Sequence, residues 1–304
     1  MIIRKREHWF RMLFVWHGSV LPGLLPRLLL MLLLSIAVVY FHGTILSFKV
    51  PLNTAPLTLF GFVLALFLGF RNSASYDRFW EGRKLWGALL NVTRALTRQA
   101  LTLGTPADNN SVYQFVQLLS AFTYALKHQL RHTNPYADLE KRLNTAQLQV
   151  VAKANYKPAI ILNLLGEWIQ KAKNSNRIDS IQQSRFDENL DKLADILGGC
   201  ERIHATPIPY SYRVLLHRTV YLYCFLLPFA LVDSLGWFTP IIVVFIAYTF
   251  VAFEAIADEI EEPFGMEAND LALNTMCQMI DTTIFEQIGV TIETPPQTAK
   301  NIID

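Results

Sequence analysis

The groups best suited to chemistry in this 304-residue chain are carboxylates and imidazoles at helical spacing. Glu254, Asp258 and Glu262 recur every four residues, which on a helix gathers three carboxylates on one side. Such a face could hold a cation, or it could pair as a surface ion set with the basic N-terminus at Arg4, Lys5, Arg6 and Arg11. His128 and His132 also stand four apart and could share a metal, but no third ligand lies near them in sequence, and a solvated helix face accounts for both. Cys200, Cys224 and Cys277 are widely spaced and form no CxxC pair, so they read as reduced packing cysteines. No GxxxxGKS/T loop, GxSxG elbow, HExxH pair or GxGxxG turn occurs, which leaves nucleotide hydrolysis, acyl transfer and zinc proteolysis without a foothold. The chain is therefore expected to be neither an enzyme nor the host of a cofactor.

The elements that must position these groups are membrane elements. A content of 52% hydrophobic and 17% charged residues is too apolar for an ordinary soluble protein. A formal net charge of +2 with no long basic stripe argues against a nucleic-acid partner. Residues 1–24 read as a basic cytosolic segment and 25–48 as the first membrane helix, with Leu28 to Leu46 too long for a cleavable signal core. Residues 55–100 read as a second membrane helix that runs on into the cytosol, and 101–206 as a cytosolic helical domain in which Ser184 caps a helix to Leu197. Residues 210–256 hold the third and fourth membrane helices, joined at Asp233-Ser234-Leu235-Gly236 as an antiparallel hairpin. Residues 257–290 form a cytosolic C-terminal helical segment, and 291–304 a loose tail. The distribution of Lys and Arg puts both termini in the cytoplasm of a multi-pass protein in contact with membrane lipid.

One stripe stands out within the second membrane helix. Phe62, Leu66 and Phe70 lie four apart and fall within one arc of roughly 80°. The purely apolar part, Ala55 to Phe70, is shorter than the roughly 20 residues a lipid-facing span needs. The stripe could face lipid, a neighbouring helix or the axis of an oligomer. Asp77, seven residues beyond Phe70, lies on nearly the same face, either as an open carboxylate or as a partner of Arg71 or Arg78.

The run Gly69-Phe70 followed by Asp77-Arg78-Phe79-Trp80 joins two further signals. These are Pro207-Ile208-Pro209 with Tyr210 and Tyr212 behind it, and Glu262-Pro263-Phe264-Gly265 without the family's asparagine. Together, in order and over nearly the whole chain, these resemble the bacterial branch of the bestrophin family. The resemblance implies an all-α membrane protein with four transmembrane helices and a helical cytosolic domain, assembled with copies of itself as a homopentamer around an axial pore in the bacterial inner membrane. It implies that Phe62, Leu66 and Phe70 form the apolar neck of that pore and that Ile181 forms a second, cytosolic constriction. It also marks Glu267 and Asp270 as what is left of a calcium-binding clasp, too few carboxylates for a six- to eight-oxygen site, so calcium gating is not expected. Apolar rings cannot replace an ion's hydration shell, so the neck gates by dewetting and the choice of ion lies elsewhere. The bacterial branch leads to the expectation of a channel for monovalent ions, cations such as sodium, with Asp77 as the pore carboxylate. The alternatives are a chloride channel of the same architecture, a secondary transporter, or a membrane-anchored scaffold.

Overall fold

The structure is a computed structural model that describes residues 8–12, 15–16, 18–45, 48–49, 52–104 and 109–292. The expected basic cluster Arg4, Lys5 and Arg6 and nearly all of the expected tail, 293–304, lie outside the described residues. In chain order the helices are α1 (Trp9–Met12), α2 (Leu21–Tyr40), α3 (Thr54–Thr102), α4 (Asn109–Leu130), α5 (Tyr136–Leu139) and α6 (Thr145–Ala152). They continue as α7 (Lys157–Asn174), α8 (Ser180–Ala205), α9 (Tyr210–Leu235), α10 (Thr239–Glu261) and α11 (Leu273–Gln287). The departure from an all-α chain is a minimal antiparallel ribbon, β1 (Thr44–Ile45) and β2 (Phe48–Lys49), with Thr44 opposite Lys49.

The chain divides into two compact units, one of residues Arg4–Phe79 and Pro207–Glu262, the other built mainly from Trp80–Thr206 and the segment from Pro263 onward. The first unit is apolar. Leu21–Tyr40, Thr54–Thr102 and Tyr210–Glu261 are the three described stretches that are helical, long and apolar enough to cross a membrane. The third is not one rod: α9 ends at Gly236, whose φ of +51° suits glycine, and a 3-10 turn over Gly236–Phe238 leads into α10. His217 meets Glu254 and Ile208 meets Glu261, so the two arms run antiparallel. Their shared core includes Leu28 and Met31 of α2, Leu64 and Leu68 of α3, Val220 and Leu227 of α9, and Val243 and Ala247 of α10. Gly61 permits the close approach of α3 to α9, since a β-carbon there would stand 2.6 Å from the Tyr223 hydroxyl oxygen.

Helix α2 begins and ends earlier than the apolar run Leu28–Leu46 suggested. Pro22 fits its first turn, where no N–H partner is lost, and two successive left-handed residues, His42 (φ +48°) and Gly43 (φ +70°), follow it before the ribbon.

The second unit is built on α4, whose Phe115, Val116, Leu119, Phe122, Ala125 and Leu126 are buried. Phe115 packs on Trp168 of α7 at 4.3 Å between ring centroids, and Trp168 Nε1 donates to the Ser111 carbonyl at 3.0 Å. Helix α8 starts at Ser180 because Asp179 accepts from the Gln182 N–H while Gln182 returns a bond to the Asp179 N–H. Ser184 therefore sits inside α8 and not at its cap. The three cysteines are buried thiols, with burial pushing Cys200 up to about 12 and Cys277 higher still.

Candidate pore-lining helix and its charged anchor

The residues of α3 sort into two opposite faces. Gly61, Leu64, Leu68, Arg71 and Ser75 turn inward, and all five are buried. On the far side Phe62, Leu66 and Phe70 are 62%, 47% and 67% exposed. Three large apolar side chains are left bare on one stripe of a membrane-length helix among the described residues. The four-residue spacing thus marks a true face, and that face points away from the subunit's own core.

What fixes the rotation of this helix is a charged group one residue past Phe70. Arg71 has no exposed side-chain surface and makes an ion pair through Nη2 with Asp258, while Glu261 Oε2 stands 3.5 Å away. Glu261 also accepts the Ile208 N–H at 3.0 Å, and its backbone carbonyl accepts from Arg78 Nε at 3.0 Å. Asn72 donates to the Phe253 carbonyl at 3.1 Å, and the Tyr212 hydroxyl donates to the Phe67 carbonyl at 3.2 Å. Through these bonds the end of α10 and the start of α9 hold α3 at the foot of its apolar stripe.

The three carboxylates singled out by spacing do not converge. Glu254 is buried and bonds His217 Nδ1 at 2.7 Å, Asp258 faces Arg71 with Arg213 at 3.8 Å, and Glu262 is exposed. Among the described residues their basic partners are Arg71 of α3 and Arg213 and His217 of α9, while the expected N-terminal partners Arg4, Lys5 and Arg6 lie outside those residues. Among the described residues no group of three His, Cys, Asp or Glu side chains is arranged to hold a metal. Glu261, which spacing by fours passed over, is the buried hub. It lies seven residues from Glu254, on the stripe of Val243, Ala247, Val251 and Glu254 that α10 buries.

Asp77 is exposed and makes no ion pair among the described residues. The expected pairing with Arg71 or Arg78 is thereby corrected, because the Asp258 and Glu261 groups already engage both arginines. Ile181, in the first turn of α8, is 75% exposed. Asp270 is buried and accepts the Glu267 N–H at 2.7 Å, closing the turn after Gly265, while the Glu267 side chain is exposed. Arg131 holds the same segment through the carbonyls of Phe264 and Leu271.

His128 and His132 diverge. His128 bonds Thr133 and Asp138 at 2.6 and 2.8 Å, and Asp138 also takes Lys127. Burial lowers the His128 pKa, helped by the charges of Lys127 and Arg131 and opposed by Asp138. Burial alone would raise Asp138, but its bonds to His128 and Lys127 and the charges of Lys127 and Arg142 leave it below the usual carboxylate range. His132 instead meets His204.

The family profile described as Bacterial/Fungal Bestrophin protein matches residues 1–301. A Ralstonia nicotianae protein named voltage-dependent anion channel-forming protein RSc3414 is 51% identical over 292 residues, covering 95% of each chain. An Escherichia coli protein of the same description, YneE, is 42% identical over 286 residues, or 94% of this chain and 93% of that one. The crystal structure of a bacterial bestrophin homologue from Klebsiella pneumoniae with a W252A mutation superimposes with a TM-score of 0.86 at 43% identity, covering 90% of this chain and all of the other. The relatives' shared name, an anion channel-forming protein, overturns the expected preference for cations such as sodium. On sequence over almost its full length and on fold, the chain belongs to the bacterial branch of the bestrophin family.

Proposed function

We propose that the chain is one subunit of an anion-conducting channel, chloride being the test ion, in a bacterial cell membrane. The channel part of this reading is supported by the bare stripe Phe62, Leu66 and Phe70 on α3, and the anion part by the name that the relatives share. The subunit assembles with copies of itself as a homopentamer, and five such stripes surround one axis. α2, the first part of α3, α9 and α10 each cross the bilayer, which gives four spans with both termini in the cytoplasm. The antiparallel arms of the α9 and α10 hairpin, 26 and 23 residues long, are each sufficient for one crossing.

The neck restricts passage by dewetting and contributes little to the choice of ion, because it offers no group to replace hydration water. Ile181 is the second constriction of the same path. Asp77, exposed and without an ion pair among the described residues, is a pore-facing carboxylate that works against anions and moderates the preference set elsewhere. Calcium does not open the channel, since Asp270 is committed to the Glu267 N–H and few carboxylates remain beside it.

Single-channel recording with Leu66→Ala and Ile181→Ala tests the neck assignment. Each is expected to raise the open probability or conductance, and unchanged currents in both would remove these residues from the pathway. Mass measurement of the detergent-solubilised particle tests the assembly. Five chains are expected, and a monomer or dimer would exclude an axial pore.

A further inference from the structure

At the end of α4, His132 holds φ at +51°, a left-handed conformation that glycine or asparagine normally takes after a helix. The Thr133 N–H closes the helix there by bonding to the His128 carbonyl at 3.0 Å. This conformation is uncommon for a residue with a β-carbon, so histidine here carries a modest backbone cost that glycine would not. Its ring reaches His204 in the last turn of α8, with the two Nε2 atoms 2.8 Å apart and the ring centroids 4.8 Å apart. Two imidazole nitrogens at that distance share one proton, as N–H donating to N, and a modest separation of the rings would free both lone pairs for a cation.

Both rings line a cavity of about 550 Å3, together with His128, Glu201, Tyr156 and Lys157. Glu201 precedes His204 by three residues on the same face of α8, and one of its oxygens accepts the Gln129 amide at 2.6 Å. The cavity thus brings two converging nitrogen ligands, a neighbouring carboxylate and room for water to one place.

We propose that His132 and His204 form a two-histidine site for a divalent transition metal of the zinc class, opening onto this cavity, with water completing the coordination. Imidazole pairs suit such ions and not magnesium or calcium, which take oxygen ligands. With metal–nitrogen distances of about 2.0–2.1 Å, the Nε2 atoms need to part by roughly half an ångström. Two protein nitrogens are fewer than a structural zinc site uses, so the ion exchanges readily and acts as a regulator. Bound there, it ties the end of α4 to the end of α8, one residue from the Arg131 side chain that holds the Phe264 to Leu271 segment.

The test is calorimetric titration of the purified full-length protein with zinc chloride alone. One saturable site per chain is expected, absent in His132→Gly and in His204→Gln and retained in His128→Ala. His132→Gly relieves the left-handed strain, so its thermal midpoint in the absence of metal should equal or exceed that of the unaltered protein, which separates lost binding from lost folding. His204→Gln changes an exposed side chain and provides the second check. No saturable binding, or binding that survives in either His132→Gly or His204→Gln, overturns the site. A loss confined to His128→Ala does the same.

Discussion

Replacing Arg71 by methionine tests the anchor of the pore helix. The arginine side chain is wholly buried, while the side chains of its partners Glu261 and Asp258 are 4% and 44% exposed. Asp258 can rehydrate when the arginine is gone. Glu261 cannot, and it keeps only the Ile208 N–H at 3.0 Å. Breaking a buried pair from one side costs about 3–5 kcal/mol, because the remaining charge is uncompensated. At about 2–4 °C per kcal/mol for a chain of this order of size, the thermal midpoint in detergent should fall by roughly 6–20 °C.

The same reasoning gives the double variant the opposite sign. Arg71 Nε and Nη1 make no hydrogen bond among the described residues, so the ion pair is imperfectly satisfied to begin with. Arg71→Met combined with Glu261→Gln removes both charges and leaves an acceptor for the Ile208 N–H. That protein should recover to within about 1 kcal/mol of the original. Tryptophan fluorescence against temperature reads both. A single variant within about 2 °C of the original, or a double variant as unstable as the single, would refute the account of a buried charge holding α3.

Two further predictions concern charge. Asp77→Asn should raise the permeability of chloride relative to potassium by about twofold or more, since each removed carboxylate repels anions across only a few ångströms to about 10 Å of partly aqueous space; an unchanged ratio would place Asp77 away from the pathway. For His128, the folded pKa lies below the unfolded one, so the unfolded chain binds the proton first as pH falls. Stability is fully present above about pH 6.5 and declines below it. His128→Gln should therefore flatten the loss of thermal midpoint between about pH 6.5 and 5, and an identical slope in both proteins would contradict the shift.

The stripe of Phe62, Leu66 and Phe70 was legible because a helix repeats every 3.6 residues, so the spacing alone put these side chains on one face. Its exposure agrees with a face turned away from the subunit. The anchor beside it was not legible. Arg71 and Asp258 are 187 residues apart, and no local pattern links them. Spacing by fours points to Glu262, whereas burial on α10 follows a face that spacing alone does not reveal. The buried sequence Val243, Ala247, Val251 and Glu254 continues to Glu261 and leaves Glu262 outside. The start of α8 is legible as an Asp179 to Gln182 capping box, which lies one turn before the Ser184 that adjoins the leucine repeat.

The ion preference could not be read from the neck at all, since rings of phenylalanine and leucine carry no coordinating chemistry and favour neither sign of charge. Family resemblance supplied a cation, and the names of relatives up to 51% identical correct it to an anion. The pairing of His132 with His204 was hidden for the same reason as the Arg71 anchor. Residues four apart, His128 and His132, invited a shared role, whereas the left-handed turn after α4 sends the second ring to α8.

The central claim is anion conduction through a pore lined by α3. The reversal potential of the purified protein in a planar bilayer, under a tenfold gradient of potassium chloride, tests it most directly. The account predicts a value close to the chloride equilibrium potential that moves when chloride is replaced by a large organic anion. A value at the potassium potential, unmoved by that replacement, would contradict it.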